Sequence, residues 1–258
     1  MKYIQLGICA ILSATVALAG CQPKPEVAEK STSSTPAKNT EAAVPLVEAR
    51  VVPVKVNKTE SCDAEGCTQY DLQTVQSNVP WIDQYFIERI HKAEPKAFSH
   101  APNEKINLQP EIPQLNQRSI YVRYLGQNHA LASFVLENYS YTAGAAHGIY
   151  HQEFVNLDLK KKKRLQLTDV MKSGVEQKLL DQLYEANSLW LQQHNIERST
   201  LKLSDNFYYG ANGIVFVYPL YELASYAEGM IELTLPYPSA VSLIKTEYLP
   251  NLPNYPHA

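Results

Sequence analysis

The stretch RSIYVRYLGQNHALASFVLENYSY, Arg118 to Tyr141, places two runs of alternating apolar and polar side chains on either side of Gly126-Gln127-Asn128. Alternation with period two buries one face of a strand and wets the other, and so short a turn sends the second strand back along the first. The rhythm recurs. ARVVPVKVNK and TQYDLQTVQ flank CDAEGC, IYHQEFVNLDL turns through KKKKR into LQLTDVM, and DNFYYGANGIVFVYP turns at Gly210 to Gly213 before a last long strand, MIELTLPY. Strands that meet through short turns pair antiparallel, so the expected class is α+β. A doubly wound fold is excluded by the lack of a glycine-rich strand-to-helix turn of the dinucleotide or P-loop kind.

Two segments carry helical spacing instead, and they are expected to pack on the sheet as its two main helices. In NVPWIDQYFIERIHKAE, Ile82, Tyr85, Phe86, Arg89 and Ile90 share a face, with Asn78 as N-cap, Pro80 in the first turn and Asp83 near the positive end. In GVEQKLLDQLYEANSLWLQQHNI, apolar residues repeat at Val175, Leu179, Leu183, Ala186 and Trp190. Between them, Ala93 to Asn116 is polar and proline-broken and reads as a long excursion. SAVSLIKTEYL adds a short terminal helix.

The chain opens on Met1-Lys2 and the apolar run YIQLGICAILSATVALAG, too short to span a membrane and closing on small residues, which marks residues 1–20 as a secretory signal. LAGC resembles the lipobox of bacterial lipoproteins. That resemblance implies lipidation of Cys21 and, with Gln22 following it, an outer-membrane anchor facing the periplasm or the cell surface. Residues 21–45 are polar and proline-bearing and read as a disordered tether, with a coil dimension of roughly 25–30 Å. The remainder is long enough for one large domain or two small ones.

Cys9 leaves with the signal and Cys21 carries lipid, so Cys62 and Cys67 remain to form a disulfide across a hairpin tip, contributing about 2 kcal/mol. A formal charge of −3 argues against nucleic acid, which calls for a basic face, and leaves a basic partner open. Seventeen tyrosines against six phenylalanines suit antiparallel sheet and also wet binding surfaces.

His147 and His151 stand in HGIYH, where a zinc protease would have HExxH on a helix; here Gly148 takes the glutamate's place and the segment reads as loop into strand. Four residues along a strand span about 13 Å, too far to share one ion, so neither a metal nor a cofactor is expected. Gly144 and Gly148 permit positive φ, and Ala143, Ala145 and Ala146 let backbone approach another surface closely. His147 either meets that surface or satisfies a local carbonyl. No GxSxG elbow and no free cysteine supply a nucleophile. Glu222 and Glu228 are the candidate pair for glycan hydrolysis; surface solvation is their plainer fate. Lys160 to Arg164 reads as a solvated turn, or as a charge patch for anionic lipid or cell-wall polymer. Tyr218, Tyr221, Tyr226 and Tyr237 crowd prolines and a glycine, which suits either a contact loop or a plug at the sheet end.

Two segments, from about Asn138 to Tyr237, resemble the RsiV-like domain. YTAGAAHGIYHQEFVNLDLKKKKRLQLTDVM is similar to that family's Tyr-Thr-Gly-Gly-Ala-His-Gly loop and strand, and FYYGANGIVFVYPLYELASYAEGMIELTLPY to its closing hairpin with Tyr-Glu-Ile-Ala-Pro-Tyr-Ala-x-Gly. The preceding hairpin and helix, Val51 to Glu94, are similar to the smaller domain that accompanies it, which implies a hairpin-helix subdomain with its long loop (46–117) and a larger RsiV-like C-terminal domain (118–258). Members include an anti-sigma factor whose extracellular part binds lysozyme and the non-catalytic region of certain peptidoglycan deacetylases. The resemblance implies partner binding through Gly144, His147 and Gly148 in one loop and Tyr221, Glu222, Tyr226 and Gly229 in the other. Ala145 stands where the family has its second glycine, and Ser225 where it has proline. The expectation is therefore a non-enzymatic envelope lipoprotein. Its partner would be a lysozyme-type muramidase or other cell-wall hydrolase, with peptidoglycan or glycan binding as the alternative and glycan hydrolysis third. Membrane contact would come through the lipid anchor only.

Overall fold

β3 (Gly66–Ser77) organises the first half of the chain in the computed structural model, which describes residues 43–63, 66–104 and 115–250. β1 (Ala49–Pro53) and β2 (Glu60–Asp63) both pair with it antiparallel. Cys62 lies opposite Cys67 in that register, and the two are disulfide-bonded with their Cα atoms 4.0 Å apart. The leader, Cys21 and most of the tether lie outside the described residues.

α1 (Pro80–Ala93) buries Ile82, Phe86 and Ile90 completely. Asn78 does not cap it. Its side chain instead donates to the Leu46 carbonyl at 2.8 Å and accepts from the Glu48 amide at 3.0 Å, pinning the incoming chain. Asp83 reaches back from the first turn to the Ser77 amide and hydroxyl, at 2.8 and 2.6 Å, and fixes the helix entry.

The chain then enters β4 (Leu115–Asn128), which joins β3 in parallel, Cys67 opposite Leu115 through Gln73 opposite Tyr121. A parallel neighbour requires a long connection, and α1 lies within it. The boundary expected between residues 117 and 118 falls inside β4. Residues from both sides share one sheet and one apolar cluster, in which Leu72, Ile82 and Phe86 meet Val122, Phe134, Val155 and Leu157. β5 (Leu131–Tyr141), β6 (Ile149–Asp158) and β7 (Lys163–Leu165) complete a seven-stranded sheet in the order β1-β3-β4-β5-β6-β7, with β2 on β3. The β4–β5 hairpin turns two residues later than Gly126-Gln127-Asn128 suggests. The register shifts at a bulge between Tyr124 and Gly126, which leaves Leu125 unpaired, and His129 at φ 51° makes the turn.

β8 (Phe207–Tyr209), β9 (Gly213–Tyr218) and β10 (Ile231–Pro236) form a second, antiparallel sheet. α2 (Leu167–Val170), α3 (Glu176–Ala186), α4 (Ser188–Gln193) and α5 (Tyr237–Ala240) accompany it, and its core gathers Leu179, Leu183, Leu191, Phe216, Tyr218 and Leu235. The class is α+β, with two sheets rather than one. The single helix expected from Val175 through Trp190 breaks at Asn187, whose amide donates to Leu183 and Thr234 carbonyls at 2.7 and 3.0 Å and accepts from the Thr234 amide at 3.1 Å. Leu191 continues the buried stripe of Leu179 and Leu183 beyond the break, while Ala186 is exposed. Asn206 joins the two sheets. It accepts from the Phe154 amide at 2.7 Å and donates to the Gln152 carbonyl at 2.8 Å, and buried Asn156 donates to Phe207 O. No helix among the described residues is long and apolar enough to cross a membrane.

Candidate functional site

The β5–β6 pairing sets Tyr139 opposite Tyr150 and Ser140 opposite Ile149, and the 142–148 loop caps that strand end. Thr142 O accepts from Ala145 N at 2.9 Å, and Asn116 anchors Ala143 N at 2.9 Å. Gly144 takes φ 84°; Gly148 is not among the positive-φ residues. A different constraint holds Gly148, because a β-carbon there would come within 2.4 Å of the Tyr139 ring. Ala145 also lies outside the positive-φ set, so its backbone needs no glycine.

The 219–230 loop between β9 and β10 folds onto this one. His147 stacks on Tyr226 with ring centroids 3.8 Å apart and planes 21° from parallel. The Tyr226 hydroxyl donates to Gly148 O at 2.9 Å, and His147 Nδ1 lies 3.1 Å from the same carbonyl. His147 Nε2 is 3.5 Å from the Tyr221 hydroxyl, and the Tyr221 ring is 5.8 Å from Tyr226. The two short sequence motifs, 74 residues apart, thus build one cluster. Tyr221 is 57% exposed and holds φ 69°, a left-handed conformation unusual for a bulky side chain. Gly229, at φ 77°, ends the 3-10 turn Tyr226–Glu228. Ser225 sits at φ −68° and ψ 161°, the geometry proline would impose, so the missing proline leaves the backbone path intact; its hydroxyl lies 3.4 Å from Glu228.

Glu228 accepts from His194 Nε2 at 2.6 Å, while His194 Nδ1 faces the Trp190 carbonyl at 2.8 Å. The carbonyl and then the carboxylate raise the His194 pKa, since both neighbours accept and only the doubly protonated ring satisfies both. Glu222 is exposed, and its amide closes a turn on Pro219 O at 3.2 Å. Burial, with Glu137 accepting its hydroxyl at 3.0 Å, pushes Tyr150 up to about 12.

His147 and His151 do not come together. His151 is the third residue of β6, paired with Asn138, and burial lowers its pKa against the opposing pull of Glu153. Burial alone would raise the Glu153 carboxyl, but Arg89 at 2.5 Å and Arg164 at 3.0 Å hold it below the usual range. The metal-ligating residue types that cluster among the described residues are Glu60, Cys62 and Cys67, and both sulfurs belong to the disulfide. The lysine-rich turn is largely tied down: Lys161 to Tyr248 at 2.5 Å, Lys163 to Asp169 at 2.6 Å and Arg164 to Glu153. Tyr139 and Tyr150, 37% and 38% exposed, extend the aromatic surface beside the loops. Their part was hidden in the sequence, because only the strand register brings them to Gly148.

With both loops placed, comparison with known proteins assigns one segment. Residues 158–238 match the family described as Protein of unknown function (DUF3298). The DUF3298 match contains the 219–230 loop and begins after the 142–148 loop. No curated protein matches the chain. Among solved structures, a DUF3298 family protein from Pseudomonas aeruginosa PAO1 is 20% identical, with a TM-score of 0.55 over 81% of this chain and 98% of that one. A DUF3298 member from Bacteroides fragilis is 17% identical, with a TM-score of 0.56 over 79% of this chain and 96% of that one. Both share the fold.

Proposed function

We propose that the chain is a non-enzymatic, lipid-anchored envelope protein that docks a macromolecular partner through the joined 142–148 and 219–230 loops. The observation carrying this reading is the His147–Tyr226–Tyr221 cluster, in which a stacked pair supports an exposed ring on strained backbone. Strain of this kind persists where the surroundings impose it, and it clusters at ligand contacts. The pairing of Glu228 with His194 leaves Glu222 without a second catalytic carboxylate in the same loop. The resemblance to the RsiV-like domain makes a lysozyme-type muramidase the first partner to test. The lipobox resemblance at Cys21 supports anchoring at the outer membrane.

Calorimetric titration with a purified muramidase tests the reading. Tyr221→Ala combined with Tyr226→Ala is expected to weaken association by about 2 kcal/mol or more, roughly thirtyfold, as truncated aromatic anchors do. An unchanged dissociation constant in the double variant would reject the loop assignment. Exposed Tyr139 and Tyr150 favour a second reading, stacking on the sugar rings of peptidoglycan, which retention on purified sacculi would reveal.

A further inference from the structure

Every one of the chain's 23 lysines and arginines lies outside residues 124–159 and 203–244. Those two stretches supply β5, β6 and the 142–148 loop on one side, and β8 to β10 with the 219–230 loop on the other. The loop end is therefore built from chain without a permanent cation, while it carries Glu137, Glu222 and Glu228. Arg118 reaches the neighbouring strand end, where its guanidinium is held by the carbonyls of Gln117 and Tyr141. Glu228 is engaged by His194, which leaves Glu222 and Glu137 as the unneutralised charges.

The protein's own cations cover tyrosine rings elsewhere in the fold. Arg89 lies 5.7 Å from the Tyr85 centroid, Arg123 5.1 Å from Tyr121, Lys161 5.0 Å from Tyr248 and Arg198 4.7 Å from Tyr184. Among the described residues no such cover lies on Tyr139, Tyr150, Tyr221 or Tyr226. An aromatic face attracts cations through its quadrupole, and a nearby carboxylate strengthens the attraction. An anionic partner would meet the like charge of Glu222 and Glu137 here, with the one neighbouring guanidinium, Arg118, turned onto backbone carbonyls.

We propose that this face takes a cationic polypeptide, whose lysine or arginine side chains lie over the uncovered tyrosine rings and against Glu222 and Glu137. The proposal rests on the docking reading above and names the chemistry of its partner. Charge of this sign also steers encounter, so association is expected to quicken as salt falls.

The test is fluorescence anisotropy of the full chain with labelled hexa-arginine, hexa-glutamate and Gly-Ser peptides in about 50 mM salt. Saturable binding of the arginine peptide alone is expected. Glu222→Gln with Glu137→Gln should weaken it at least about fivefold, as should Tyr221→Ala. Glu88→Gln with Glu176→Gln, an equal change of net charge on exposed helix positions, should leave it unaltered. Equal binding of the neutral peptide, absence of saturation, or an equal loss in the control pair would overturn the proposal. Muramidase binding that needs Tyr221 yet ignores salt and both glutamine substitutions would keep the docking reading and discard the cationic partner. Arginine-peptide binding indifferent to Tyr221→Ala would discard the loop end itself.

Discussion

Tyr221 holds a left-handed backbone with its ring exposed, an arrangement that costs roughly 1 kcal/mol for a residue bearing a β-carbon. Tyr221→Gly should therefore be more stable than Tyr221→Ala by about 1 kcal/mol in denaturant titration, while both lose partner binding. Equal stabilities would show that the backbone there is not strained. Gly148 makes the complementary case. Gly148→Ala would drive the Tyr139 ring aside, and because that ring is partly exposed, docking should weaken more than stability does. The composition of both motifs is plain in the sequence, as is the placing of Gly144 at positive φ. The sequence does not show that Tyr221, rather than Gly148, takes a left-handed conformation, or that Gly148 is small for the sake of Tyr139. Those facts depend on the register of β5 against β6 and on a second loop 74 residues away.

Asn187 shows why periodicity overran the helix from Val175. The stripe Leu179, Leu183, Leu191 keeps helical spacing through position 187, where an amide stands in for an apolar side chain and pairs with the edge of β10 at Thr234. Asn187→Ala should cost about 2 kcal/mol by leaving both Thr234 backbone groups unpaired, measurable as a lowered denaturation midpoint without a changed slope. Asn206 and Asn156 bind one sheet to the other by the same device, and a lone asparagine in a sequence announces nothing of the kind. His194 ties the end of α4 to the tyrosine loop through Glu228. Its folded pKa lies above the unfolded value, so the tie stabilises fully in acid and is lost as pH rises through the folded value. Protection of the amides of residues 226–229, taken relative to their intrinsic exchange rates, should fall across that window in the native chain, and Glu228→Gln should flatten the change. A flat profile in the native chain would remove the tie from the account.

The sheet continues across the division that the family resemblance implied between residues 117 and 118. Alternation identified the strands and made the class readable, but it is silent on which strands meet. The parallel pairing of β3 with β4 is set by burial of α1 against both, with Ile82 and Phe86 packed among Leu72, Val122 and Phe134. One consequence is that the 142–148 and 219–230 loops rise from neighbouring strand ends, with the asparagine contacts joining the two sheets. The most direct measurement takes the full chain and its Tyr221→Ala, Tyr226→Ala variant, titrates each with a purified muramidase in a calorimeter, and assays the chain alone on muropeptides. Saturable heat that disappears in the variant, with every muropeptide bond intact, is the predicted result. Muropeptide turnover abolished by Glu222→Gln would contradict it and make the same loops a reaction centre.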